Sequence, residues 1–288
     1  MRVKMTPHWK DVGLNNGIGQ VIYNYHRWMP EVGIELVDED EDVCVSHLGT
    51  AANCDVHHNH GLWLGKELNG LQMGQNRVII NSALTAGAVV VPSNYVANYF
   101  KRDMRISPFV VGHGVNCDEW QPSINRRYVL WNKNRMGDVC DPQSVTELAL
   151  RFPQIDFLTT FSKTPLRNVY ETGPLKFEKM KQFIQSASIY LATTPETFGI
   201  GTLEAMASGV PVLGFRFGGT ADIVSHLEDG YLVEPNDYES LAHGLAWVFS
   251  NRDKLSKAAR AKAETYSWLN VVKQLKEIYA SQCHNHVL

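Results

Sequence analysis

Two α/β domains, each a doubly wound parallel sheet, are what this sequence predicts, on three observations. Short apolar stretches alternate with stretches of helical periodicity, the pattern of parallel strands covered on both faces by crossover helices. That alternation runs twice, once on each side of a turn-rich interval at residues 112–122. In the second half, a strand runs into a glycine turn that opens a helix, which leaves backbone donors exposed at the strand's carboxyl end.

Taken in order, strands are expected near 2–6, 34–37, 43–46, 55–59, 88–91 and 108–112, with helices over 18–29, 69–84 and 94–104. Beyond the turn-rich interval, strands are expected near 128–132, 155–159, 169–171, 189–193, 212–215 and 231–233, separated by helices. A last amphipathic helix over 269–281 follows Tyr266-Ser267-Trp268. The expected division is a first domain at 1–120, a second at 121–268 and a terminal helix at 269–288.

At 288 residues the chain is long enough for two cores, and 44% hydrophobic with 20% charged residues is the composition of a soluble globular protein. No apolar run approaches the roughly 18 residues of a membrane span. The opening Met1-Arg2-Val3-Lys4-Met5 reads as a strand rather than a signal peptide, so cytoplasmic residence is expected. Five scattered cysteines (Cys44, Cys54, Cys117, Cys140 and Cys283) form no C-x-x-C pair and read as free thiols. Net charge is −3, and up to Trp120 nine Lys/Arg face thirteen Asp/Glu, which argues against a polyanion partner such as nucleic acid. One basic knot (Lys101, Arg102, Arg105) follows Tyr95, Tyr99 and Phe100. It reads either as a solvated helix end or as a contact for phosphates or an acidic lipid surface.

The richest stretch is Pro195-Glu196-Thr197-Phe198-Gly199-Ile200-Gly201-Thr202-Leu203-Glu204, ended by Ser208-Gly209 and Pro211. Helix-start N–H groups have no partner within the helix and favour an anion or sugar hydroxyls. Gly199 and Gly201 let a ligand approach the backbone. Glu196 precedes the turn and Glu204 lies about two helical turns beyond it, so two carboxylates can face one cleft with the amides between them. Acceptors for hydroxyls beside donors for phosphate suit a nucleotide sugar. The plainer reading is an ordinary turn with a polar helix start.

This segment closely resembles the E-x7-E signature of retaining glycosyltransferases of family 4, and the likeness continues through Phe215-Arg216-Phe217-Gly218-Gly219-Thr220-Ala221-Asp222-Ile223-Val224 and Asp229-Gly230-Tyr231-Leu232-Val233. The resemblance implies the GT-B fold: two Rossmann-like domains facing a cleft, with the C-terminal helix crossing back to the first. It also implies that Glu196 holds the donor sugar and Glu204 the ribose hydroxyls, while the backbone of Phe198, Gly199 and Ile200 holds the sugar and diphosphate. Residues 112–122 are similar to the family's interdomain junction, with His113 in place of Asn.

Three further features bear on such a site. Gly13-Leu14-Asn15-Asn16-Gly17-Ile18-Gly19-Gln20 follows the first strand; Gly17 and Gly19 permit close approach, although a tight βα turn would use glycines in the same way. In the family a comparable loop lies over the donor diphosphate. Lys133 and Arg135 follow the strand at 128–132 and would neutralise charge on a leaving diphosphate, in place of a bound metal; the other reading is a solvated basic turn. The family spaces these cations further apart, so their division between the two phosphates is left open.

The last feature is His57-His58-Asn59-His60-Gly61. On a strand His58 and His60 share a face and His57 takes the other, but no third metal ligand is tied to that pair by spacing. His60-Gly61 is similar to the family's H-G turn, whose histidine lies beside the transferred sugar; His57 and His58 read as structural, and His47 as an ambiguous cleft residue.

The expected function is therefore a retaining, metal-independent transferase moving a hexose-type sugar from a UDP- or GDP-linked donor to a hydroxyl acceptor, a glycan or small molecule. No cofactor and no transmembrane segment are expected. Two alternatives remain: a glycosyltransferase acting on modified DNA bases, which the acidic first half disfavours, and a nucleotide-sugar-binding protein without transfer.

Overall fold

The computed structural model describes residues 1–14, 16–49, 51, 53–62, 69–123, 127–133 and 140–283. It divides into two compact units, Met1–Gly114 with Tyr266–Leu288, and Val115–Thr265.

The first unit runs β1 (Arg2–Thr6), α1 (Trp9–Val12), α2 (Gly17–Trp28), β2 (Glu35–Leu36), β3 (Val43–His47), β4 (Val56–His58), α3 (Gly70–Thr85), β5 (Ala88–Val91), α4 (Asn94–Tyr99) and β6 (Phe109–Val110). The second continues β7 (Tyr128–Trp131), α5 (Gln143–Arg151), β8 (Phe157–Thr159), β9 (Val169–Glu171), α6 (Phe177–Gln185), β10 (Ala187–Ala192), α7 (Ile200–Ala207), β11 (Val212–Phe215), α8 (Thr220–Ile223), β12 (Gly230–Val233), α9 (Tyr238–Ser250) and α10 (Arg252–Glu264). The terminal helix α11 (Trp268–Cys283) belongs to the first unit. It packs on α2, with the Lys276 ammonium 2.6 Å from the Val32 carbonyl and the Tyr279 hydroxyl 2.8 Å from His58 Nε2.

Both sheets are parallel and six-stranded, ordered β2-β1-β3-β4-β5-β6 and β12-β11-β10-β7-β8-β9. β5, β10 and β11 are buried along their whole length, which is why β5 and β11 read as unbroken apolar runs and β10 as a run broken only by Ser188 and the Tyr190 phenol. In the second unit Trp131, Leu148, Phe157, Leu191, Leu213 and Leu245 form one core between sheet and helices. Strand order reverses between β1 and β3 in the first unit and between β7 and β10 in the second. At such switch points, the crossover helices lie on opposite faces and leave a crevice at the strands' carboxyl ends.

Two of the differences from expectation have a local cause. The strand expected over 55–59 stops at His58, because the Asn59 side chain accepts the Gly61 amide at 2.8 Å and turns the chain. The helix expected over 94–104 ends at Tyr99 and widens into a π-helical turn, Phe100–Met104, closed where the Ile106 amide reaches the Phe100 carbonyl at 3.1 Å. In that turn Arg102 pairs with Asp103 in two contacts of 2.6 and 2.8 Å, which neutralises part of the basic knot.

The carboxyl end of α7 is tied to α10. Arg260 donates to the carbonyls of Ala207 and Trp120, the latter at 2.7 Å, and Ser256 Oγ donates to the Gly209 carbonyl at 2.6 Å. Helix-end carbonyls have no intrahelical donor, so a guanidinium here satisfies groups that would otherwise lose hydrogen bonds on burial. Arg260→Met, which keeps the stem and removes the donors, is expected to cost about 1–3 kcal/mol. Urea unfolding followed by tryptophan fluorescence checks this, and an unchanged midpoint would refute the anchoring role.

Candidate active site

In the second unit the switch point sets two loops side by side. β7 and β10 are neighbours, with Tyr190 opposite Leu130; the chain leaves β7 through Asn132 and Lys133, and β10 through Thr193, Thr194 and Glu196. Lys133 is pinned at its backbone by Thr160, whose hydroxyl accepts the Lys133 amide at 2.8 Å and donates to the Lys133 carbonyl at 2.7 Å. Its ammonium lies 2.5 Å from Glu196 Oε1, with the lysine side chain 11% and the glutamate 34% exposed. The two residues assigned to phosphate and to sugar are thus an ion pair. Arg135 lies outside the described residues.

The turn from Glu196 to Gly199 is held from behind by a second turn. The Gly219 amide donates to the Glu196 carbonyl at 2.8 Å, and Gly218 has φ of 63°, in the left-handed region that favours glycine. A Cβ at Gly219 would run into the backbone of Phe198, so the two turns close only without a side chain there. Gly199 caps α7 at φ of 104° without a side-chain acceptor. The first-turn amides of Ile200 and Gly201 consequently stand outside the helix's own hydrogen-bond ladder, where an anion or hydroxyl can use them. Gly201 has a further reason to be glycine: a Cβ would meet the Tyr190 hydroxyl at 2.5 Å.

Charge at this site is tightly coupled. Burial raises the Glu204 carboxyl from 4.5 to about 8, helped by the negative charge of Glu196 and opposed by Lys181 and Lys133. Burial works against the Lys133 charge, but Glu196 and Tyr190 outweigh it and hold the ammonium above its ordinary value. Burial pushes the Tyr190 phenol up to about 12, with Lys133 pulling the other way. Glu204 therefore keeps its proton at neutral pH. In that form it can donate one hydrogen bond and accept others, which suits a vicinal diol.

Asn132 Oδ1, Thr193 Oγ1 and Thr194 Oγ1 are buried polar atoms with no hydrogen-bond partner among the described residues. All three lie on the exits from β7 and β10, beside Lys133 and Glu196. Sequence reasoning singled out none of these, nor Thr160 or Tyr190. The only signal for Tyr190 was a phenol in a strand whose one other polar side chain is Ser188, and Thr160 is joined to Lys133 only by sheet register.

The first unit brings together a different set. Gly17 opens α2, and the Asn16 side chain caps it by accepting the Gly19 amide at 2.8 Å. The space a side chain at Gly19 would need is taken by the Gly13 backbone. His60 Nε2 lies 2.8 Å from His47 Nδ1, and the rings of His58, His47, His60 and His113 form a chain, in that order, with centroid spacings of 4.7, 5.1 and 5.8 Å. His57 turns the other way, its Nδ1 3.1 Å from Ser82 Oγ. Desolvation keeps these imidazoles below their ordinary value, His60 at about 3 and His57 at about 4, so they are neutral. No group of three or more His, Cys, Asp or Glu among the described residues is arranged to hold a metal ion.

Residues 163–266 match the family described as glycosyl transferases group 1, a segment that includes Glu196, Glu204 and the Gly218-Gly219 turn but not Lys133. A D-inositol 3-phosphate glycosyltransferase of Corynebacterium urealyticum is 34% identical over 108 residues, 36% of this chain and 26% of that protein. A sulfoquinovosyl transferase of Arabidopsis thaliana is 34% identical over 104 residues, 34% of this chain and 20% of that one. The chain thus spans about a quarter of the length of these curated relatives.

Among solved structures, sucrose-phosphate synthase from Thermosynechococcus elongatus superposes with a TM-score of 0.78 at 15% identity over 98% of both chains. Anabaena HepE in complex with UDP gives 0.68 at 18% identity over 92% of this chain and 84% of that one, and HepE is also solved with UDP-glucose. The fold is that of the GT-B glycosyltransferases, built on two Rossmann-like parallel sheets. No helix among the described residues is long and apolar enough to cross a membrane.

Two outcomes are expected from this geometry. Gly219→Ala drives the Phe198 turn away from its support and lowers thermal stability; an equal melting temperature in the variant would refute the packing argument. For Glu204, the folded carboxyl binds its proton more tightly than the unfolded one. Its contribution to stability is fully present below about pH 4.5 and lost as pH rises through about 8. Glu204→Gln, a permanent analogue of the protonated form, should flatten the fall in melting temperature between pH 6 and pH 9, which a thermal scan at both pH values reads directly.

Proposed function

We propose that this chain is a retaining glycosyltransferase of family 4 that moves a hexose-type sugar from a nucleoside diphosphate donor, UDP- or GDP-linked, to a hydroxyl acceptor. The observation that carries the reading is the Lys133–Glu196 pair at the β7/β10 switch point, beside the uncapped amides of α7. A cation and free N–H groups suit a diphosphate, and the adjoining carboxyl groups suit the hydroxyls of sugar and ribose. HepE in complex with UDP and with UDP-glucose, on the same fold, supports a uridine nucleotide as the first donor to test.

In the proposed reaction, the bond from the anomeric carbon to the β-phosphate oxygen breaks, and its electron pair leaves with the diphosphate. The acceptor oxygen bonds to the same face of the sugar, and its proton passes to the departing phosphate oxygen. Charge grows on that phosphate as the sugar gains oxocarbenium character. Lys133 and the amides near Ile200 stabilise it, with Arg135 as the second cation and no metal required. Donor binding exchanges partners within the ion pair: Lys133 turns toward phosphate, an anion, and Glu196 accepts a hydrogen bond from a sugar hydroxyl, so neither group is left without a polar partner. By resemblance, His60 lies beside the transferred sugar, and Gly17 and Gly19 belong to the loop over the diphosphate. The acceptor is a glycan or small molecule.

A thermal-shift screen of UDP- and GDP-sugars, followed by donor hydrolysis and transfer assays, tests the reading, since a ligand of the native state raises its melting temperature. Glu196→Ala is expected to abolish turnover, and Lys133→Ala to weaken donor binding and reduce kcat roughly 100- to 1000-fold. Unchanged turnover in either variant removes that residue from the mechanism. Donor binding with neither hydrolysis nor transfer to any acceptor would leave a nucleotide-sugar-binding protein.

A further inference from the structure

We infer that His47 is a positioning residue for His60, fixing its ring plane and tautomer for turnover; the inference rests on the assignment of His60 to the transferred sugar made above. His47 ends β3, is fully buried, and brings Nδ1 to 2.8 Å from His60 Nε2. The two rings lie 5.1 Å apart with only 17° between their planes, so hydrogen bond and packing act on the same ring. His47 is itself wedged by neighbours: the Tyr25 ring is 5.8 Å away and the His58 ring 4.7 Å away. His58 in turn is fixed by the Tyr279 hydroxyl at 2.8 Å, from helix α11. A line of contacts therefore runs from α11 through His58 and His47 to His60, entirely within the first unit.

Two neutral imidazoles that share one hydrogen bond must hold a single proton between the bonded nitrogens. If His47 Nδ1–H donates, His60 carries its own proton on Nδ1; if His60 Nε2–H donates, His60 Nδ1 is an acceptor. In either arrangement the two tautomers are coupled, so the tautomer of His47 sets the character of the second nitrogen of His60, and the His60 ring cannot flip without breaking the bond to its fully buried partner. Burial supports this, since desolvation keeps both rings neutral across the physiological range. The logic is that of an orienting partner that selects the tautomer of a working histidine without touching substrate.

The test compares the wild-type chain of 288 residues with His47→Phe, His47→Asn and His60→Ala, using the best donor from the thermal-shift screen. Phe keeps a buried ring and removes the bond, while the Asn carboxamide places a hydrogen-bonding atom close to the former Nδ1. The ¹⁵N shifts of the His60 imidazole, read by NMR on histidine-labelled protein, should move toward a tautomer mixture in His47→Phe and return in His47→Asn. In parallel, kcat should fall roughly 10- to 100-fold in His47→Phe with donor KM within about twofold of wild type, and largely recover in His47→Asn.

Unchanged His60 shifts in His47→Phe, or an unchanged kcat where His60→Ala is inactive, would overturn the positioning role. A loss in His47→Phe that His47→Asn does not rescue, with donor KM rising in step, would also overturn it in favour of general destabilisation. Full turnover in His60→Ala would overturn the inference through the His60 assignment and leave the donor reading on Lys133 and Glu196 standing.

Discussion

A lysine that is nearly buried needs a counter-charge at hand, and the second unit is arranged around that requirement. Lys133 leaves the sheet at β7 and Glu196 leaves it at β10, and their 2.5 Å contact bridges the point where the strand order reverses. Withdrawing an ammonium from water is costly, and breaking a buried pair by removing one member exposes the other to that cost. The pair therefore has to be reassigned rather than dissolved when a ligand enters. In the proposed reading a diphosphate glycoside supplies an anion to the lysine and hydroxyl donors to the carboxylate. The raised Glu204 carboxyl belongs to the same field: burial raises it first, and the negative charge of Glu196 adds to the effect.

Precision in that arrangement comes from backbone contacts rather than from the charges. The Glu196 carbonyl is held by the Gly219 amide, the turn beneath it closes because neither Gly218 nor Gly219 carries a side chain, and α7 is tethered at its far end by Arg260 and Ser256. Lys133 is fixed from the main chain outward by Thr160. Each charged group is therefore mounted on a short, doubly secured segment, and little ordering remains to be done when a ligand binds.

The first unit solves a different problem. Four histidines gathered at the carboxyl ends of β3 and β4 and at His113 would repel one another if charged. Burial keeps them neutral, so they behave as small aromatic plates with directional nitrogens. Tyr25, Trp268 and Tyr279 complete the packing around them, two of the three supplied by α11 from the far end of the chain. Partial satisfaction of such a polar cluster would be destabilising, which gives α11 a structural reason to dock where it does.

Much of this was legible before any coordinates. Apolar period and turn residues predicted every strand of both sheets within a few residues, because parallel strands buried on two faces admit little else. The E-x7-E spacing with its glycines located the α7 turn, since local backbone chemistry is written in adjacent residues. Neither the partnership of Lys133 with Glu196 nor that of His47 with His60 was legible, because each joins residues separated by whole elements and depends on which strands become neighbours. Thr160, Tyr190 and Gly219 acquire their roles only through register and close approach between segments, quantities that no local pattern encodes. By itself the sequence determined the elements, the glycine turn and the kinds of functional group on offer. Tertiary structure alone decided which of those groups meet, and through burial which of them carry charge, because desolvation and Coulomb energy depend on distance in space rather than along the chain.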